Sequence, residues 1–404
     1  MIYDFNYYAP TNVIFGKGVH LKVGDELVKE NAKKVLVHYG SSHAKRSGLL
    51  SEVEEELKKK NIEFVELGGV VPNPRLSLVN KGIELCKKEG VDFILAVGGG
   101  SVIDSAKAIG YGLVDSENGD VWDFYDGIRS PLACAPIGVI LTIAATGSEM
   151  SNSSVITNED GWFKKSCNTN LARPRFALMN PELTYSLPDY QTMCGSVDIM
   201  MHTIERYFVE DAGSMLLTDL LAESVLKTVK TCALTLKNDP NNYDARAMIM
   251  WASSISHNGL TGCGNSAPGD WACHRIEHEL GGLFDVAHGA GLSAIWTSWA
   301  KFVVNKDPAR FVNLGEKVFG ITALGSEVKD ALVAIDAIGD FFKQINMPTN
   351  LRELGITLTE DQIELLASKC TNADKITVGN FIPLGSKEVA EILRKANSVS
   401  FNND

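Results

Sequence analysis

Asp92-Phe93-Ile94-Leu95-Ala96-Val97-Gly98-Gly99-Gly100-Ser101-Val102-Ile103-Asp104 is the stretch on which the fold turns. Its first half is an apolar run of strand length, the signature of a strand covered on both faces. Three glycines follow, and Ser105-Ala106-Lys107-Ala108-Ile109 continues as a helix pattern. A strand, a glycine turn and a helix N-terminus make a phosphate site. Backbone N–H groups point outward there, and glycine lets a pyrophosphate approach closely. The spacing is not Gly-x-Gly-x-x-Gly. A tight turn needing glycine for positive φ is the plainer account, but three successive glycines exceed it. The reading adopted is phosphate binding at Gly98, Gly99, Gly100 and Ser101.

Working outward, the same texture repeats on the N-terminal side. Val35-Leu36-Val37 reads as a strand ending at Gly40-Ser41-Ser42. Residues 49–60 form a charged helix pattern, Ile62-Glu63-Phe64-Val65 another strand, and 76–89 another helix. Strands alternating with helices of this length imply βαβ units and a parallel sheet. On the C-terminal side, Ile140-Leu141-Thr142-Ile143-Ala144-Ala145-Thr146-Gly147-Ser148-Glu149 is an apolar strand running into small hydroxyl residues. Thr142, Thr146 and Ser148 could donate to a cofactor amide, ribose or phosphate.

Beyond Pro181 the strand patterns fade. Helical periodicity runs over 190–209, 214–236, 242–259, 270–281 and 289–304. The division expected is an α/β dinucleotide-binding domain over 1–182 and a helical domain over 183–404. The Ser-Asn tail at 398–404 is expected to fray.

The bulk properties narrow the function. With 404 residues, 45% hydrophobic and 22% charged, the chain has the make-up of an ordinary globular protein of about two or three domains. A net charge of −12 argues against a nucleic-acid partner, which rewards clustered Lys and Arg. No apolar run is long enough to span a bilayer. The N-terminal residues lack a basic region followed by an apolar stretch, so a cytoplasmic location is expected. The eight cysteines, at 86, 134, 167, 194, 232, 263, 273 and 370, form no Cys-x-x-Cys pair and read as reduced, buried thiols.

The helical half holds a concentration of ligand-type residues. Gly195-Ser196-Val197-Asp198-Ile199-Met200-Met201-His202 is expected to begin a helix with Ser196 as its cap. Asp198 and His202 are four apart and share one face of an otherwise apolar helix. A carboxylate and an imidazole there need partners. Trp271-Ala272-Cys273-His274-Arg275-Ile276-Glu277-His278 sets His274 and His278 one turn apart, and His288 opens the next helix. Any one of these histidines reads most simply as a satisfied polar side chain. Together they predict a divalent-metal site, and one carboxylate with imidazoles suits Fe²⁺ or Zn²⁺. A zinc site on Cys263 and Cys273 fits less well: the spacing matches no structural-zinc pattern, and Cys273 projects about 100° from His274 on a helix.

These motifs in combination resemble the iron-containing alcohol dehydrogenase family, in its butanol dehydrogenase-like branch. The resemblance runs from about residue 3 to at least 390. It rests on Gly98-Gly99-Gly100-Ser101 with Asp104, Thr142 with Thr146-Gly147-Ser148-Glu149, Asp198 with His202, and the spacing of His274, His278 and His288. Asp123-Phe124, Asn258-Gly259-Leu260 and Asp270-Trp271-Ala272 also look like this branch. The resemblance implies a dehydroquinate synthase-like arrangement of two domains, with the glycine turn and the metal helices facing a shared cleft. It places metal ligands on Asp198, His202, His274 and His288, and leaves His278 beside the metal. It puts His278 and Asp104 in catalytic roles. Dinucleotide contacts would fall on Gly40, Ser41, Ser42, Asn73, Gly98, Gly99, Gly100, Ser101, Thr142, Thr146, Ser148 and Lys164, with Lys165 directly after. Ser41-Ser42 departs from the glycines that relatives often carry there. The activity implied is hydride transfer between a nicotinamide dinucleotide and a small primary alcohol or aldehyde, the metal acting as Lewis acid.

Two further expectations follow. No Asp or Glu occurs from His38 to Leu50, while Lys45 and Arg46 do, so NADP(H) is expected over NAD(H). The apolar, strand-like segment Met1–Gly16 precedes the first βα unit and is expected to make a homodimer by edge pairing; pairing within its own sheet is the alternative. Two rival functions rank lower. A dehydroquinate synthase-like lyase would need several cationic side chains on a phosphorylated substrate, and the cluster offers mostly Arg206 and Arg275. A non-enzymatic scaffold would bind without turnover.

Overall fold

The computed structural model of the chain describes residues 2–40, 43–115, 119–211 and 215–398. Two compact units divide at Leu187 and Pro188. The first unit, Tyr8–Leu187, contains β1 (Asn12–Phe15), α1 (Val23–Lys29), β2 (Lys34–Tyr39), α2 (His43–Arg46), α3 (Leu49–Lys59), β3 (Glu63–Leu67) and α4 (Leu76–Glu89). It continues with β4 (Phe93–Gly98), α5 (Gly100–Val114), α6 (Trp122–Tyr125), β5 (Ile137–Leu141), β6 (Ser153–Asn158), β7 (Phe163–Asn168) and β8 (Phe176–Met179).

Six strands form one parallel sheet in the order β1-β8-β5-β4-β2-β3. The most apolar runs take its middle: every residue of β4 and of β5 is buried. Val35, Val37, Phe93, Leu95 and Val97 pack with Leu50, Val53 and Leu57 of α3 in one core cluster. From β2 the chain moves outward to β3, then crosses back to lay β4 on the other side of β2. This reversal between β2 and β4 is a topological switch point, and ligands of open parallel sheets bind outside the carboxyl ends of the strands there. Gly40 follows β2 and Gly98 ends β4, so the two glycine turns flank the switch.

Three features depart from the sequence reading. β6 and β7 make an antiparallel hairpin outside the main sheet, with Thr157 opposite Lys164. β1 pairs with β8 of its own sheet, Asn12 against Phe176, and so forms one edge of it. The residues before Tyr8 group with the helical unit, where the Tyr3 N–H donates to the Gly264 carbonyl at 3.1 Å.

The second unit is built of α7 (Asp189–Tyr207), α8 (Leu216–Asn238), α9 (Tyr243–His257), α10 (Ala272–Phe284), α11 (His288–Val303), α12 (Pro308–Leu314), α13 (Glu327–Gln344), α14 (Glu360–Cys370) and α15 (Ser386–Asn397). Among its described residues the only β pairing is an isolated bridge, Val378 to Leu384. α7 starts at Asp189, after Pro188, rather than at Ser196. Ser196 is interior to the helix and donates its hydroxyl to the Thr192 carbonyl at 3.0 Å. Proline's fixed φ favours a helix start, and that start outweighs the capping tendency of a serine about two turns later. Arg310 pins the C-terminal end of α7. It forms a two-pronged pair with Asp219, both contacts 2.6 Å, and donates to the Tyr207 carbonyl.

Candidate active site

Asp198, His202 and Glu205 lie at positions i, i+4 and i+7 of α7 and so face one way. All three are buried, Glu205 completely. α10 presents His274, Glu277 and His278, and α11 begins at His288. Three imidazole nitrogens converge on Asp198 Oδ1: His202 Nδ1 at 3.3 Å, His288 Nε2 at 3.7 Å and His274 Nε2 at 3.8 Å. Donor atoms of Asp198, His274 and His288 all lie within 4.8 Å of one another. Asp198 Oδ1, His202 Nδ1 and His274 Nε2 are buried and make no hydrogen bond. Orphaned lone pairs aimed at a common point are what a divalent cation satisfies, so the residues fit a metal.

The far sides of two rings are held by carboxylates. Glu205 Oε2 contacts His274 Nδ1, and Glu277 Oε2 contacts His288 Nδ1. Each turns its ring so that Nδ1 meets the carboxylate and Nε2 faces Asp198, the arrangement that fixes ligand orientation in metal sites. Glu205 has a second task. Its Oε1 accepts from the N–H groups of Cys273 and His274, capping α10 from a neighbouring helix. Burial pushes the His202 imidazole far below its ordinary range, helped by the nearby His257, His274 and Arg206. Burial also depresses His274, but Glu205 and Asp198 outweigh it and lift the ring to about 9.

His278 stands one turn beyond His274, its ring centre 5.8 Å from that of His288. It clusters with Glu277 and His288. Trp271, the residue before α10, has a left-handed backbone with φ of 66°. Its indole lies against His202, His257 and His274, with the Arg206 guanidinium 4.5 Å above it. Among the described residues the groups able to hold a metal contain no cysteine, and all eight cysteines are free thiols.

In the α/β unit, Gly99 caps α5 and Gly100 is its first residue. Intrahelical bonding begins with the Val102 N–H, so the N–H groups of Gly100 and Ser101 precede it. None of the three glycines has positive φ. Space is what demands them. A Cβ on Gly98 would lie 2.5 Å from Val102, one on Gly99 2.8 Å from Ile143, and one on Gly100 2.4 Å from Thr146 Oγ1. The Thr142 N–H donates to the Gly98 carbonyl at 3.0 Å, which ties the hydroxyl-bearing segment to the turn.

The remaining expected residues divide. Thr146 stands beside the turn. Ser148 is turned inward, its hydroxyl donating to Asp104 Oδ1 at 2.6 Å. Asp104 Oδ2 accepts from the Val155 N–H at 3.0 Å, so both its oxygens hold protein groups. Asn73 is buried with φ of 54°, two residues before Arg75, which bridges to Thr157 across from Lys164. Lys164 is buried, whereas Lys165 points away and pairs with Asp126 at 2.7 Å. Ser41 and Ser42 lie outside the described residues. Lys45, beyond that turn, pairs with Glu66 of β3 at 3.0 Å, and Glu66 also accepts from the Tyr39 hydroxyl.

Sequence reasoning missed the two orienting carboxylates. Glu205 extends the stripe of Asp198 and His202 by one turn, a signal that was present in the helix. Glu277 carries no such signal, because the ring it holds is on the next helix.

Comparison with known proteins agrees with this geometry. Residues 10–181 match the family model for iron-containing alcohol dehydrogenase, and residues 192–397 match that for the C-terminal part of the Fe-containing alcohol dehydrogenase family. The chain belongs to the iron-containing alcohol dehydrogenase family. Like other iron-containing alcohol dehydrogenases it is an oxidoreductase, and a divalent metal and a nicotinamide dinucleotide belong to that chemistry. It is 38% identical over 394 residues to NADH-dependent butanol dehydrogenase A of Clostridium acetobutylicum, covering 97% of this chain and 99% of that protein. It is 33% identical to the NADPH-dependent aldehyde reductase YqhD of Escherichia coli, covering 87% of this chain and 89% of that protein. A crystal structure of NADH-dependent butanol dehydrogenase A from Thermotoga maritima superposes with a TM-score of 0.93 at 36% identity, covering 98% of this chain and 99% of that one. For this iron-containing alcohol dehydrogenase, the parallel-sheet unit and the helical unit are those expected of the family.

Proposed function

We propose that the chain interconverts small primary alcohols and aldehydes, butanol and butanal among them, by hydride exchange with a nicotinamide dinucleotide. The convergence of three imidazole nitrogens, those of His202 and His274 buried and that of His288 partly so, on Asp198 Oδ1 carries this reading. The butanol dehydrogenase and aldehyde reductase names of its relatives support the substrate class. Asp198, His202, His274 and His288 would hold Fe²⁺ or Zn²⁺, which when bound supplies Lewis-acid polarisation of the substrate oxygen. Glu205 and Glu277 keep the ligand rings oriented. His278 is the group assigned to pass the alcohol proton toward solvent. Gly98–Ser101, Thr142 and Thr146 bind the dinucleotide, with Gly40, Ser41, Ser42, Asn73 and Lys164 completing its site. Ser148 and Asp104 act on it by holding the surrounding chain.

For the dinucleotide we infer a preference for NADP(H), and a modest one. Lys45 and Arg46 follow the turn after β2 with no acid between His38 and Leu50. Glu66, however, reaches Lys45 from the next strand and offsets part of its charge. Relatives include NADH- and NADPH-dependent enzymes. A homodimer is inferred from β1, an edge strand paired on one side only, and from the exposed Ile2, Phe5, Tyr7 and Tyr8 before it. A monomeric mass in light scattering would refute it. No described helix is long and apolar enough to cross a membrane. Eight free thiols accord with a cytoplasmic setting.

The deciding experiment is turnover of a panel of short aldehydes, followed at the nicotinamide absorbance with each reduced dinucleotide. Oxidation of neither dinucleotide by any aldehyde, with metal present, would overturn the reading.

A further inference from the structure

α5 is apolar on its buried side, yet it carries an ammonium near its centre. Lys107 is 0% exposed, between the equally buried Ala106 and Ala108. Its Nζ donates to the Ser148 carbonyl at 2.8 Å and hydroxyl at 2.9 Å, the Ser151 carbonyl at 3.1 Å and hydroxyl at 3.3 Å, and the Ser153 carbonyl at 2.7 Å. An ammonium has three hydrogens, so these acceptors share them. They belong to the connection between β5 and β6 and to the first residue of β6. One turn earlier on α5, Asp104 grips the same connection and the start of β6: it accepts from the Ser148 hydroxyl and the Val155 N–H, and its carbonyl accepts from the Ser154 hydroxyl at 2.8 Å. The Ser148 hydroxyl therefore receives from Lys107 and gives to Asp104.

What this connection positions is the side of the glycine turn. Thr146 Oγ1 accepts from the Ser148 N–H at 3.2 Å. The same oxygen sits where a Cβ on Gly100 would be, 2.4 Å away. The place of the Thr146 hydroxyl beside the turn is thus set by a segment that a buried charge holds. A methionine or leucine would fill the volume of Lys107 without taking a charge out of water.

We propose that Lys107 is a positioning residue for the dinucleotide: with Asp104 it locks residues 146–153 against the glycine turn, so that the turn and Thr146 are arranged before the pyrophosphate arrives. The proposal rests on the dinucleotide reading of that turn given above. Its working form is the cation. Burial pulls Lys107 down to about 8, against the opposing pull of Asp104 and Glu149. Arg173 and Cys134 are the other titratable or charged groups acting on it. A neutral amine has two hydrogens for the same acceptors, so the lock loosens as pH rises through that value.

The test is binding of NADH and NADPH to the metal-loaded protein, followed by nicotinamide fluorescence from pH 6.5 to 9.5. Wild type should bind, and weaken several-fold between pH 7 and 9. Lys107→Met should bind roughly tenfold more weakly at pH 7, about 1.4 kcal/mol, with a flatter pH dependence. Its metal content should match wild type, and its kcat at saturating dinucleotide should fall less than about threefold. Lys107→Met with wild-type affinity and pH dependence overturns the proposal. Should that variant not fold, the wild-type titration decides: affinity constant to pH 9.5 overturns it. Wild type that binds neither dinucleotide would remove the dinucleotide reading itself, a result separable from loss in the variant alone.

Discussion

Glu205 holds His274 twice, through the ring Nδ1 and through the backbone N–H, and so joins a proposed metal ligand to the start of the helix that carries it. Glu205→Gln retains an acceptor but loses the charge that favours the Nδ1 proton. Loss of such outer partners typically costs about 10- to 100-fold in metal affinity. Competition with a chelator should therefore show weaker binding by that order in Glu205→Gln, and weaker still in Glu205→Ala. Unchanged metal affinity in Glu205→Ala would show that the ring needs no outer support.

His274 and His278 share one face of α10, and geometry alone would allow either to bind metal. The orphaned Nε2 of His274 facing Asp198 favours His274 as the ligand. His274→Ala should lose its metal and all turnover. His278→Ala should keep most of its metal, lose rate and show an altered pH profile. Elemental analysis of both purified variants checks this, and the reverse pattern would exchange the two roles.

Gly100 admits no side chain. Gly100→Ala drives its Cβ onto Thr146 Oγ1 in a segment that is held from behind. Overpacking of this kind costs about 1–3 kcal/mol. Dinucleotide affinity should fall between about 5- and 100-fold, with metal content unchanged, as measured by fluorescence titration. Full affinity in the variant would mean that the turn yields freely.

His38 makes acid stability measurable in the α/β unit. Its ring is wholly buried, with Nδ1 2.8 Å from the Leu67 carbonyl and Nε2 2.9 Å from the Ser105 hydroxyl. Burial pushes its pKa down to about 4. The unfolded chain takes up a proton near pH 6.5 that the folded chain refuses until about 4. The stability present above pH 6.5 is therefore lost as pH falls across that window, by up to about 3 kcal/mol from this one group. His38→Gln, which cannot titrate, should flatten the pH dependence of unfolding there. An equal slope in both proteins would assign the acid sensitivity elsewhere.

Arg310 and Asp219 offer a stability test away from the site. Arg310→Leu leaves the Asp219 carboxylate buried without its partner, a loss of about 3–5 kcal/mol. Denaturant unfolding of the helical unit should report it, and a change below about 1 kcal/mol would be too small for a buried pair.

The parts legible in the sequence were those whose signal is local. The apolar run ending in three glycines announces β4 and the turn, and Asp198 with His202 declares a polar stripe on an apolar helix. The reason for the glycines was not legible, because it lies in the approach of Val102, Ile143 and Thr146 rather than in φ. The hairpin of β6 and β7 was missed since Phe163-Lys164-Lys165-Ser166-Cys167-Asn168 has little apolar alternation. Ser148 reads the same in sequence whether its hydroxyl faces a ligand or Asp104. Glu66 lies well beyond Leu50 in sequence, and only the pairing of β2 with β3 brings it to Lys45.

The grouping of the first residues with the helical unit has a consequence for biosynthesis. The α/β unit is one uninterrupted stretch, Tyr8–Leu187, and every strand of its sheet lies within it. Chains emerge from the ribosome N-terminus first, and domains generally fold as units during synthesis. The sheet can thus close while the helical unit is still untranslated. Tyr3, which precedes the sheet in sequence, finds its place only once Gly264 has been made. Folding of the helical unit is in this way the later event of the chain's synthesis.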